Sequence, residues 1–130
     1  MAGTLGVVMG RSLTYVAVND ISIPHESYFR PAIRQRCRDG FCVIGSDPTG
    51  QVPSEIRTFI NGDLRCRASI ADLVRPIDRL IAEISEFLML QPGDILLVGE
   101  PPDSPLAHAG DRVRVEIDGL APLENEVVAE

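Results

Sequence analysis

The stretch EIRTFINGDLRCRAS, residues 55–69, constrains the fold more than any other part of this chain. Two runs of alternating side chains flank Asn61-Gly62. That dipeptide tolerates positive φ at both central positions of a type I′ turn, whose twist matches that of paired strands. The stretch therefore reads as a β-hairpin. Alternation puts Ile56, Thr58 and Ile60 on one side, with Arg57 and Phe59 on the other.

Further strands are expected on either side of it. TLGVVMG (Thr4–Gly10) reads as a buried strand and LTYVAVND (Leu13–Asp20) as a second. Only Arg11 and Ser12 separate them, which predicts a tight hairpin. Pro24 and Pro31 argue for loop or edge structure in the segment that follows. Phe41–Gly45, Asp94–Glu100 and Arg112–Gly119 are strand candidates, Leu123–Glu130 is a last short one, and residues 46–54 read as a loop.

A helix is expected from about Ile70 to Leu88. Leu73, Ile77, Leu80, Ile81, Ile84, Phe87 and Leu88 form one apolar stripe at helical spacing, which is expected to face the core. Ser69 with Asp72 resembles a capping box that uses aspartate. Pro76 so far inside predicts a later start or a kink. The sum is an α+β chain: a mostly antiparallel, mixed β-sandwich or roll with one main helix. The length of 130 residues fits a single domain, with no internal repeat or linker.

The chain carries 19 acidic and 12 basic side chains, a net charge of −7. That balance argues against general nucleic-acid binding, which needs a broad basic footprint. Small anionic ligands stay open, because a local site can oppose the global charge. Every basic side chain is arginine, so a lysine Schiff base, base or nucleophile is excluded. Arg30, Arg34, Arg36 and Arg38 crowd into YFRPAIRQRCRDGF, residues 28–41. A solvated basic face, an anion site and a partner contact would each account for them. Three cysteines, an odd number, suit a reducing compartment, and no Cys/His cluster suggests zinc. No early apolar run is long enough for a membrane span, so a cytoplasmic protein is expected.

Several words, taken in order and spacing, resemble the fumarylacetoacetate hydrolase family over nearly the whole chain. They are VNDIS (18–22), RDGF (38–41), RTFINGDLR (57–65), ADLVRPIDRLIAEISEFLMLQPGDILLVG (71–99) and GDRVRVEIDGLAPLEN (110–125). NDISIPHESYFRPAIRQRCRDGFC (19–42) is similar to one branch, the decarboxylase-type halves of the bifunctional isomerase/decarboxylases of 4-hydroxyphenylacetate (homoprotocatechuate) degradation. The resemblance implies a β-sandwich-like roll, usually a homodimer or paired with a related subunit. It implies chemistry on a small oxo-carboxylic acid with two or three carboxylates. It also implies a divalent cation, Mg2+ or Mn2+, that chelates the 2-oxo acid. Such an ion stabilises the enolate charge that decarboxylation or isomerisation creates, and hard oxygen ligands suit it.

The resemblance places the metal on a Glu-x-Glu pair in the first strand and on the aspartate of the ND word. The aspartate is Asp20, whose alternative role is to bond backbone groups at a strand end. The Glu-x-Glu positions fall on Ala2 and Thr4, neither of which replaces a carboxylate. The family's lysine falls on Arg36, which keeps the charge and forks well onto a carboxylate. Arg36 cannot act as a base, because its pKa stays above about 12. The proline of the usual PIG word is Val43. The threonine of a carboxylate-binding loop is Glu100, which would repel a polyanion if that loop faced the site. Relative to the family the chain is expected to be shortened at its N-terminus and again between Gly10 and Leu13.

Arg30 and Arg34 match the branch pattern and are candidate carboxylate anchors, since bidentate guanidinium–carboxylate pairs are strong and oriented. Ion pairing with the acidic surface or a neighbouring subunit is the alternative. His25 and Glu26 are candidate acid/base residues. Neighbours in an extended segment point opposite ways, so they do not form a direct dyad. His108, in a Gly-flanked loop, is expected to be exposed. Two functional readings follow: a decarboxylase/isomerase, or a shortened non-catalytic relative that keeps the scaffold and binds a partner subunit or a small acid.

Overall fold

The computed structural model describes residues 2–22, 39–72, 76–99 and 105–128. Eight strands run in chain order: β1 (Ala2–Val8), β2 (Thr14–Asp20), β3 (Cys42–Ile44), β4 (Glu55–Ile60), β5 (Asp63–Ser69), β6 (Ile95–Leu97), β7 (Arg112–Ile117) and β8 (Leu123–Glu126). They form two four-stranded sheets, ordered β3-β2-β1-β6 and β5-β4-β7-β8. Every pairing between these strands is antiparallel.

The Asn61-Gly62 hairpin forms as expected. Asn61 and Gly62 take φ of 52° and 85°, the left-handed pair that a type I′ turn needs. Along β4, Ile56, Thr58 and Ile60 are buried while Arg57 and Phe59 are only partly so. β7 repeats the pattern, and its buried Val113, Val115 and Ile117 pair with Ile60, Thr58 and Ile56. Leu5, Val7, Tyr15 and Ala17 of the first sheet meet Ile56, Val115 and Ile117 of the second. Each fully buried aliphatic side chain of that interface stabilises the fold by about 1.5–3 kcal/mol relative to exposure.

The outer face of the second sheet is polar. Arg57 reaches Asp118 at 2.8 Å, Glu55 at 3.4 Å and Glu116 at 3.8 Å. Arg67 pairs with Glu55, Arg114 with Glu116 and Glu124, and Arg112 with Glu124. This ladder crosses all four strands.

Several sequence expectations are corrected. β1 and β2 are joined by residues 9–13 rather than by Arg11-Ser12 alone, because Met9 instead exchanges backbone bonds with Gly93 and Asp94. β1 begins at Ala2, and the last strand stops at Glu126. The helix, α1 (Ile77–Ser85), starts directly after Pro76. Proline lacks the N–H a helix interior requires, so it sits at the N-cap, where none is required. Ile70–Asp72 form a separate 3-10 turn, so Ser69 and Asp72 do not cap α1. Ile77 and Ile81 pack against the core, but Phe87 and Leu88 lie past the helix end and are exposed. Among the described residues no helix is long and apolar enough to cross a membrane.

Candidate functional site

Strand alternation gives the first sheet two faces. Gly3, Leu5, Val7, Tyr15, Ala17 and Asn19 share the face toward the second sheet, whereas Thr4, Gly6, Val16, Val18 and Asp20 belong to the other. Thr4, Val16 and Val18 are buried there as well.

At one end of that second face three strands bring chemistry into register. Asp20 closes β2, standing opposite Ala2 of β1 and opposite Cys42 of β3. Thr4, Val18 and Ile44 form the next row. Asp20 is half-buried and Cys42 exposed. The Cys42 thiol is pushed above its usual range, first by partial desolvation and then by the neighbouring Asp20 charge. Thr4 is fully buried, and its Oγ1 donates to the carbonyl of Gly99 at 2.6 Å. The Ile21 N–H donates to the Phe41 carbonyl at 2.8 Å, continuing the β2–β3 ladder past Asp20.

The structure thus brings Asp20 together with the positions that the family resemblance equates with its Glu-x-Glu pair. The candidate residues His25, Glu26, Arg30, Arg34, Arg36 and Glu100 lie outside the described residues. His108 is exposed, and its backbone N–H donates to Asp111 Oδ2 at 2.8 Å. Val43 lies opposite Asn19. Cys42 beside Asp20 was missed by sequence reasoning, because only strand register joins residues so far apart in the chain.

Do these residues fit a hard divalent cation? Magnesium keeps near-octahedral oxygen coordination and usually takes one or two carboxylates with several waters. The row supplies one carboxylate, Asp20, opposite an alanine, a residue type without a ligating side-chain atom. The Thr4 hydroxyl is already a donor to Gly99. Among the described residues no three His, Cys, Asp or Glu side chains gather as a cation would need. The donor set of the described residues does not fit the cation that the family resemblance implies.

Two packed antiparallel sheets with a single helix among the described residues match solved structures of the fumarylacetoacetate hydrolase type. Comparison with known proteins agrees: the family described as fumarylacetoacetate (FAA) hydrolase C-terminal matches residues 3–128. The chain belongs to that family. It is 45% identical over 118 residues to the 4-hydroxyphenylacetate degradation bifunctional isomerase/decarboxylase of Salmonella dublin, covering 89% of this chain and 28% of that protein. The chain therefore spans little more than a quarter of that relative. Among solved structures it superposes on 5-carboxymethyl-2-hydroxymuconate delta-isomerase from Mycobacterium smegmatis with a TM-score of 0.89 and 28% identity, over 98% of this chain and 57% of the other. It also superposes on maleylpyruvate hydrolase from Sphingobium sp. SYK-6, solved with manganese(II) and pyruvate. There the TM-score is 0.84 and the identity 26%, over 98% of this chain and 53% of the other.

Proposed function

We propose that this chain forms an oxo-acid cleft of the isomerase/decarboxylase type, acting on an oxo-polycarboxylic acid in aromatic (4-hydroxyphenylacetate) catabolism. The observation that carries the reading is the 45% identity to a bifunctional isomerase/decarboxylase, sustained over 89% of this chain. Topology supports it. The chain leaves the first sheet just after Asp20 and rejoins it at β3, whose Cys42 stands opposite Asp20. The described residues flanking residues 23–38, Ile21 and Phe41, are therefore bonded to each other beside the row.

In this reading Arg30, Arg34 and Arg36 hold substrate carboxylates. When the bond to the departing carbon dioxide breaks, its electron pair becomes an enolate. A guanidinium beside the enolate oxygen stabilises that charge. The proton that then returns to carbon comes from His25 or Glu26, since Arg36 does not titrate near neutral pH. Pairing with a second copy or a related subunit, and a cytoplasmic location, belong to the same proposal.

The test is calorimetric titration of the full chain with oxalate, an enolate mimic, together with release of carbon dioxide from an oxo-tricarboxylate. Binding and turnover are expected; absence of both would sink the reading. One observation favours a second reading, a non-catalytic relative that binds a small acid: Ala2 and Thr4 stand where carboxylates are expected. Oxalate binding without turnover would select it, and turnover abolished by Asp20→Ala would exclude it.

A further inference from the structure

Thr4 sits where the resemblance expects a cation-binding carboxylate, yet it is fully buried and already bonded. The direction of that bond matters. A hydroxyl donating to a carbonyl satisfies both partners. An ionised carboxylate at the same position would set acceptor against acceptor, so that the two oxygens could share only a bridging proton, water or cation. A hydroxyl closes this contact without an ion.

The bonded carbonyl is that of Gly99. The Val98 N–H donates to the Leu5 carbonyl at 3.1 Å, so β1 and the chain after β6 are already side by side there. The Thr4 bond extends that contact by one residue, to the point where residues 100–104 begin.

We propose that this end of the sheet holds its shape without a divalent cation, the Thr4 hydroxyl fastening Gly99 to β1. Thr4 is a positioning residue. The inference rests on the oxo-acid reading only for the location of the cleft, and its test does not use substrate.

The experiment has two arms on the full chain. In the first, manganese(II) is titrated into the wild-type chain, Asp20→Asn and the Ala2→Glu/Thr4→Glu double variant, read by calorimetry and by the spin resonance of the free ion. The wild type is expected to show no saturable binding in the millimolar range. The double variant is expected to bind roughly tenfold or more tighter, having three carboxylates in the row. Saturable wild-type binding that Asp20→Asn abolishes overturns the proposal; binding that Asp20→Asn leaves unchanged sits elsewhere and accords with it. A folded double variant with no gain also overturns it.

The second arm reads hydrogen exchange of the amides following Val98 and decides the matter if the double variant does not fold. Thr4→Val, which keeps the shape but loses the donor, is expected to speed exchange there roughly three- to tenfold. Thr4→Ser is expected to preserve the wild-type rate. Equal rates in all three proteins overturn the proposal. Failure to bind oxalate would refute the functional reading and leave both arms intact.

Discussion

Asn19 donates from Nδ2 to Oδ1 of Asn125 across 2.9 Å, tying the strand that ends in Asp20 to the outermost strand of the opposite sheet. Asn19 is fully buried, and its Oδ1 has no hydrogen-bond partner among the described residues. Its amide thus depends on Asn125. Asn125→Ala leaves the Nδ2 group buried without an acceptor, which costs about 1–3 kcal/mol. Urea denaturation is expected to show a lower midpoint with an unchanged slope. An unchanged midpoint would mean that water or another group satisfies Asn19.

The hairpin at residues 55–69 was legible because its signals are local: alternation, and a dipeptide that accepts positive φ. The helix was less so. The apolar stripe runs at one spacing from Leu73, past Pro76 and on to Leu88, but spacing does not say where backbone hydrogen bonds begin or end. Pro76 sets the start, and Phe87 and Leu88 extend the stripe beyond the last helical turn. The site was legible only in part. Asp20 stands out in its ND word, whereas Cys42 becomes its neighbour only through the β2–β3 register. Arg57 was expected on the side opposite Ile56, and its nearest acid, Asp118 at 2.8 Å, directly follows β7, which sequence alone does not place beside it.

Gly3 sits where the two sheets approach closely. A Cβ there would come within 2.5 Å of Val115 Cγ1 and 3.0 Å of Thr58 Oγ1, the atom that accepts the Gly3 N–H. Gly3→Ala forces the sheets apart or Val115 out of its rotamer, at a cost of about 1–3 kcal/mol. The Gly3→Ala/Val115→Ala pair has room for the new methyl, so calorimetric melting is expected to show a double variant less destabilised than the sum of the two changes. Strict additivity would show that the two positions do not meet.

Acid should weaken the polar face in a defined direction. The Arg57 guanidinium, helped by the Ser54 hydroxyl, holds the Asp118 carboxyl below the usual range. The His108 backbone N–H, with the Asn61 amide, does the same for Asp111. For a depressed carboxyl the stabilisation is fully present above the unfolded pKa, about 3.9, and is lost as pH falls through the lower folded value. Melting temperatures are expected to fall as pH drops below about 4. Asp118→Asn should flatten that dependence. Asp118 is exposed, so high salt should shrink its effect. A pH profile identical in Asp118→Asn and wild type would refute the assignment.

The arginine segment carries the last prediction. A charge-assisted hydrogen bond to a carboxylate contributes about 1.5–3 kcal/mol, so Arg34→Ala is expected to weaken oxalate binding roughly ten- to hundredfold. Arg34→Lys keeps the charge but loses the fork, and should recover only part of that loss. Arg36→Lys is different, because it introduces an amine able to titrate where guanidinium does not. If proton transfer limits this chain, Arg36→Lys raises the rate of carbon dioxide release while leaving oxalate affinity nearly unchanged. Single-turnover kinetics beside calorimetry separate the two effects. A loss of affinity in Arg36→Lys without any gain in rate would assign Arg36 to carboxylate binding through its planar fork.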